Sequence, residues 1–156
     1  MRYNVLASLD FITKEITTIA NDTYIRAAQV VELLEKLAVQ YVGKQIVVVL
    51  DNARYQHCEV VQACAERLNI VLCYLPTYSP NLNLIERFWK HIKSEVLNAA
   101  YLDSFDQFVQ AITNGIHDSF IIHKNRLDSL INYKVQLYDD WGNHLPFDSL
   151  FDNIAS

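Results

Sequence analysis

Glycine, proline and cysteine are each present only three times in the 156 residues, and methionine once. So few glycines and prolines exclude fibrous and low-complexity classes. Three cysteines (Cys58, Cys64, Cys73) are an odd number without CxxC spacing. They argue against a disulfide framework and for a reducing, cytoplasmic setting. Five histidines and three cysteines offer no zinc spacing. No apolar run reaches the roughly 18 residues that cross a bilayer, and the opening MRYNVLASLDF lacks the pattern of a signal peptide. Positive charge is also short: 13 Lys and Arg against 18 Asp and Glu give a net charge of −5. A stand-alone nucleic-acid binder needs the opposite surplus to neutralise phosphates, although a local basic patch on an acidic domain is compatible with this balance.

Apolar residues are abundant, at 51% of the chain. That suffices for one folded core and argues against disorder. Tyr3 to Leu9 and Glu15 to Ala20 read as two β-prone runs joined by a turn at Asp10 to Lys14, so the spacing predicts an antiparallel hairpin. Asn21, Asp22 and Thr23 are capping types, and Tyr24 to Val42 runs at helical spacing until Gly43. Ile46 to Leu50 is continuously apolar, which predicts a strand buried on both faces. A helix follows over Gln56 to Leu68, with Val60, Val61, Cys64 and Leu68 inward. Ile70 to Leu75 is a further strand, and Pro76 to Leu82 a loop. Two more helices are predicted, Asn83 to Asn98 and about Phe105 to Phe120, and the end of the chain reads as a partly ordered tail. The order β, β, α, β, α, β, α, α implies an α/β fold, a mixed sheet with flanking helices.

Two acids stand out. Asp51 sits where an apolar strand emerges, the place where open α/β sheets bind ligands. A carboxylate there suits a hard divalent cation, and equally suits a turn or cap. Glu86 lies in the first turn of the third helix. With Asn83 as N-cap it occupies the capping-box position. It also shares a helical side with Lys90 and Lys93, away from Ile85, Phe88, Trp89 and Ile92. That side reads either as a plain i,i+4 ion pair or as a metal ligand beside a phosphate-binding ridge. His57 is open to two readings, a residue behind a metal site or a polar residue at a helix start. Asp10 follows a strand but falls in the hairpin turn, where Asp is a common turn former.

Taken together, LDNARYQH and LPTYSPNLNLIERFWKHIK, with 34 residues between Asp51 and Glu86, resemble the DDE transposases. More narrowly, they resemble the bacterial insertion-sequence transposases allied to the mariner superfamily. The family's second acid lies in a DNA…H motif, here Asp51, Asn52, Ala53 and His57. Its third lies in a motif close to PYSPxLNPIExxW, here Pro76, Tyr78, Ser79, Pro80, Leu82, Asn83, Ile85, Glu86 and Trp89. Leu84 departs from the family's usual Pro, a mild change at a first helical position.

The resemblance covers about Tyr3 to Leu137. It implies a ribonuclease H-like catalytic domain over residues 1–137 and a tail over 138–156. It further implies DNA cleavage and strand transfer at insertion-sequence ends, with Asp51 and Glu86 as catalytic metal ligands for Mg²⁺ or Mn²⁺. Asn52 and His57 would stand behind them, and Arg54, Lys90 and Lys93 would contact DNA. The family's first catalytic Asp lies on a strand upstream of the hairpin. The resemblance therefore also implies an N-terminally truncated domain, inactive or impaired alone, with the missing N-terminal half of the transposase, DNA and a second copy as partners, nucleoid-associated in the cytoplasm. A non-catalytic ribonuclease H-like scaffold or DNA-tethering module, from a decayed element, explains the same motif. The two readings differ in whether Asp51 and Glu86 bind a divalent cation.

Overall fold

The computed structural model describes residues 2–76, 84–99, 104–121, 137–138 and 144–145. Strands β1 (Asn4–Leu9) and β2 (Ile16–Asn21) form the expected antiparallel hairpin, with Leu9 opposite Ile16 and Asn4 opposite Asn21. Its turn is closed by Asp10, whose side chain accepts hydrogen bonds from the amides of Ile12 (2.7 Å) and Thr13 (2.9 Å). Lys14 takes a positive φ of 64°, folding back so that its Nζ donates to the Phe11 carbonyl at 2.5 Å. An Asx turn thus does the work that a glycine usually does in a hairpin.

Helix α1 (Ala27–Gln40) begins later than the sequence spacing predicts. Asn21, Asp22 and Thr23 do not cap it. Asn21 is still paired in β2, and its side chain donates to the Tyr24 carbonyl at 3.1 Å. The N-cap is Arg26, whose amide donates to the Gln29 side chain at 2.9 Å. That is half of a capping box, with Gln in the usual Glu or Gln position. Gly43 has φ +76°, the left-handed conformation expected of the residue that stops the chain there.

Strand β3 (Ile46–Leu50) pairs in parallel with β4 (Ile70–Tyr74), and helix α2 (Glu59–Arg67) connects them. Residues 54–56 form a short 3₁₀ turn instead of the first turn of α2, so the helix predicted from Gln56 starts three residues later. Val61 and Cys64 are buried as predicted and Leu68 packs against the same core, whereas Val60 is exposed and Ala65 turns inward. Helices α3 (Leu84–Ala99) and α4 (Phe105–Ile121) follow as predicted. The short strands β5 (Leu137–Tyr138) and β6 (His144–Leu145) pair antiparallel. The remainder of the expected tail, Asn83 and most of the 76–82 loop lie outside the described residues.

The hairpin is packed on both faces because its side chains alternate. Leu6 and Ile19 meet Leu33 and Leu37 of α1. Tyr3, Val5, Leu9 and Ile16 meet Phe88, Ile92 and Val96 of α3 and Ile112 of α4. Phe88 and Ile92 are almost fully enclosed, each contributing roughly 2–3 kcal/mol of burial. On the parallel pair, Ile46, Val48, Ile70 and Leu72 pack onto Val30 and Leu34 of α1 and Val61 and Cys64 of α2. The opposite face of β3 is not enclosed: Val49 is 51% exposed. This corrects the expectation of a strand buried on both faces. A continuous apolar run records β propensity, while burial depends on what covers each face. The α/β content is as expected, with two antiparallel pairs and one parallel pair. Among the described residues no hydrogen-bonded ladder joins the hairpin to the parallel pair.

Candidate active site

Parallel β3 and β4 end flush. The Leu75 amide donates to the Leu50 carbonyl at 2.8 Å, just past the Leu50–Tyr74 register pair. Asp51 follows at once, exposed at the carboxyl end of β3, the edge where open α/β sheets place ligands. The chain then reverses. Asn52 adopts φ +72°, a left-handed conformation that Asn tolerates better than most residues. The Ala53 amide donates to the Gln56 side chain at 3.1 Å, and the Gln56 amide donates to the Ala53 carbonyl at 2.9 Å. Gln56 itself is buried. Asp51 is thus the last residue before a turn locked by its own side chains.

His57 closes that turn. Its Nε2 is hydrogen-bonded to the Asn52 side-chain oxygen, and its ring stacks on Tyr74, with centroids 3.9 Å apart and planes 19° apart. Its carbonyl accepts from the Gln62 side chain at 3.0 Å, tying the turn to α2. Asn52 and His57, five residues apart in sequence, are therefore brought together. Tyr55 lies near the acid: burial and then the negative charge of Asp51 push its hydroxyl pKa above 10.

Glu86 is exposed in the first turn of α3. The chain reaches it from the end of β4, the corner that also carries Asp51, through residues 77–83. α3 is fixed from behind by Phe88 and Ile92 against β1. Lys90 and Lys93 are exposed on the Glu86 side, and Arg54 is exposed at the start of the 3₁₀ turn. Among the described residues Glu86 and Lys90 form no ion pair, unlike Arg67 and Glu35 at 2.7 Å. The capping reading rests on Asn83, outside the described residues.

Asp10 is occupied elsewhere. Burial raises its pKa, but the Thr13 amide, the Tyr41 hydroxyl and the Ile12 amide outweigh that and hold it below 3.8. It is the turn former of the hairpin. Cys58, Cys64 and Cys73 are free thiols, and the buried Cys64 serves as a small core residue. Among the described residues no group of three or more His, Cys, Asp or Glu side chains is disposed to hold a metal ion. No described helix is long and apolar enough to cross a membrane. Sequence reasoning missed Tyr74 and Gln56. The available signal was an aromatic at the last position of a strand, beside a turn that ends in histidine.

The sequence profile of the DDE superfamily endonucleases matches residues 1–109. No curated protein is matched. Among solved structures, a chain of the simian T-cell lymphotropic virus intasome in complex with PP2A regulatory subunit B56 gamma superposes with a TM-score of 0.55. It has 12% identity, and the match covers 74% of this chain and 41% of that one. The present chain thus spans about two fifths of that protein's length. The catalytic domain of Mos1 mariner transposase gives a TM-score of 0.48 at 18% identity, over 76% of this chain and 69% of that one. The Mos1 catalytic domain with raltegravir and Mg gives 0.48 at 15%, over 88% and 84%. At such identities the likeness to the intasome chain is one of fold. With 109 of its 156 residues matched, the chain belongs to the DDE superfamily of endonucleases and has their ribonuclease H-like α/β fold.

Proposed function

We propose that this chain is the catalytic domain of a DNA transposase that cleaves phosphodiesters at the ends of an insertion sequence and transfers the freed 3′ end. The observation that carries the reading is the position of Asp51, within the family-matched region, at the carboxyl end of a parallel strand and on a locked turn. Glu86 is the second carboxylate of the reading. Both are exposed oxygen donors of the hard type that Mg²⁺ and Mn²⁺ prefer. They would hold such an ion, which supplies charge stabilisation at a reacting phosphate and lowers the pKa of water. Arg54, Lys90 and Lys93 would neutralise DNA phosphates around the two acids, which lets a domain of net charge −5 engage DNA locally. Two carboxylates hold a pair of metal ions less firmly than three, so the chain on its own is expected to act weakly. A third carboxylate would come from outside the described residues or from another chain, with a second copy on DNA as the natural partner.

The test is a supercoiled-plasmid nicking assay with Mg²⁺ or Mn²⁺, alongside calorimetric Mn²⁺ titration of the wild type, Asp51→Asn and Glu86→Gln. Saturable binding and nicking that both variants lose are expected. Wild-type protein that binds no divalent cation would replace this reading with the scaffold one.

A further inference from the structure

We propose that His57 and Tyr74 form a positioning clamp that sets the direction of the Asp51 carboxylate. The inference rests on the reading of Asp51 as a working ligand and adds to it two positioning residues, one of them on a different strand. Among the described residues Asp51 makes no side-chain hydrogen bond that would fix it, so its backbone sets its direction. That backbone is defined on one side by the β3–β4 ladder and on the other by Asn52 at φ +72°. An asparagine leaves that region readily unless something holds it. The hold is the bond from its side-chain oxygen to His57. His57 is itself exposed, so it needs a support, and the support is the Tyr74 ring stacked 3.9 Å away.

Tyr74 is well suited to this. It is the last residue of β4 and the register partner of Leu50, the residue immediately before Asp51. Its hydroxyl donates to the Gln56 carbonyl at 2.9 Å, so the same side chain grips the far end of the turn. The Asp51–His57 segment is therefore fastened to one aromatic residue through its stack with His57 and its bond to Gln56. Tyr74 thus contributes a ring stack and one hydroxyl bond.

The experiment uses the full chain with Mn²⁺ alone as probe. His57→Ala, Tyr74→Leu, Tyr74→Phe and Asp51→Asn are titrated calorimetrically, and the His57 ring protons are followed by NMR. A stacked ring shifts those protons upfield. The shift should be lost in Tyr74→Leu and kept in Tyr74→Phe. Supporting groups behind metal ligands typically change affinity by roughly 10–100-fold. His57→Ala and Tyr74→Leu should weaken Mn²⁺ binding by roughly tenfold, and Tyr74→Phe by less than about threefold. Because His57 is exposed, His57→Ala should retain the wild-type melting temperature, which separates positioning from loss of fold. If Asp51→Asn loses Mn²⁺ while His57→Ala and Tyr74→Leu bind it like the wild type, the clamp is refuted and the reading of Asp51 stands. If Asp51→Asn binds like the wild type, both fall.

Discussion

Gly115 lies in α4 where that helix crosses α3. A methyl group built there would sit 2.8 Å from Val96 Cγ2 and 3.7 Å from Ile92 Cγ2. The first distance is well inside contact. Val96 is buried and β-branched, and in a helix such a side chain keeps a single χ1 rotamer, so the methyl cannot swing away. Gly115→Ala therefore sets two effects against each other. Helix propensity favours Ala by about 1 kcal/mol. Overpacking a close helix crossing costs typically about 1–3 kcal/mol. The net expectation is a loss of about 0–2 kcal/mol. Val96→Ala alone removes two methyl carbons from the same place and costs roughly 2 kcal/mol. In that background the clash is gone, so Gly115→Ala should now stabilise by about 1 kcal/mol. Urea denaturation of the four proteins of this double-mutant cycle gives the coupling directly, expected at about 1–3 kcal/mol. If Gly115→Ala were equally stabilising with Val96 in place, the α3–α4 crossing would be wider than the geometry above and the reasoning would fail.

Further outcomes are expected elsewhere. Asp10→Ala removes the acceptor for two turn amides and should lower stability by roughly 1 kcal/mol, whereas Asp10→Asn should leave Mn²⁺ affinity unchanged; a loss of affinity in calorimetry would make Asp10 a ligand. Phe88→Ala should cost roughly 3–5 kcal/mol in chemical denaturation because its ring is enclosed between β1, α3 and α4, and a cost below about 1 kcal/mol would contradict that enclosure. The Tyr41 hydroxyl is pushed up to about 12 by burial and then by the neighbouring Asp10. The folded protein thus holds this proton more tightly than the unfolded chain, whose tyrosines titrate near 10. Its contribution is complete below pH 10 and drains as pH rises from about 10 to about 12. Tyr41→Phe should flatten that part of the alkaline stability loss in urea melts, and an unchanged slope would show that Tyr41 is not the group responsible.

The elements that the sequence predicts correctly are those whose physics is local. The hairpin follows from two β-prone runs around an Asp turn. Helices α3 and α4 follow from apolar residues at helical spacing, and Phe88 and Ile92, on the predicted inward face of α3, are buried. Misplacements occur where a neighbouring side chain decides. The start of α1 moved to Arg26 because Asn21 is held in the strand ladder and Gln29 satisfies the Arg26 amide. Val60, placed inward by the spacing, is exposed, and α2 begins only after a 3₁₀ turn closed by Gln56.

The same division runs through the site. Asp51 at a strand end and Glu86 in the first turn of a helix are legible from residue type, spacing and the family motif, since strand and helix limits depend on nearby residues. That Asn52 meets His57 also lies within reach of the sequence, being a contact over five positions. The stack of His57 on Tyr74 does not, because it depends on β3 and β4 lying side by side in a register that brings residues 17 positions apart into contact. Nor does the exposure of Val49, since an apolar strand carries no record of which face another element will cover. Local chemistry chose the elements and the candidate acids; the pairing of strands at one edge chose which side chains meet around the turn that follows Asp51.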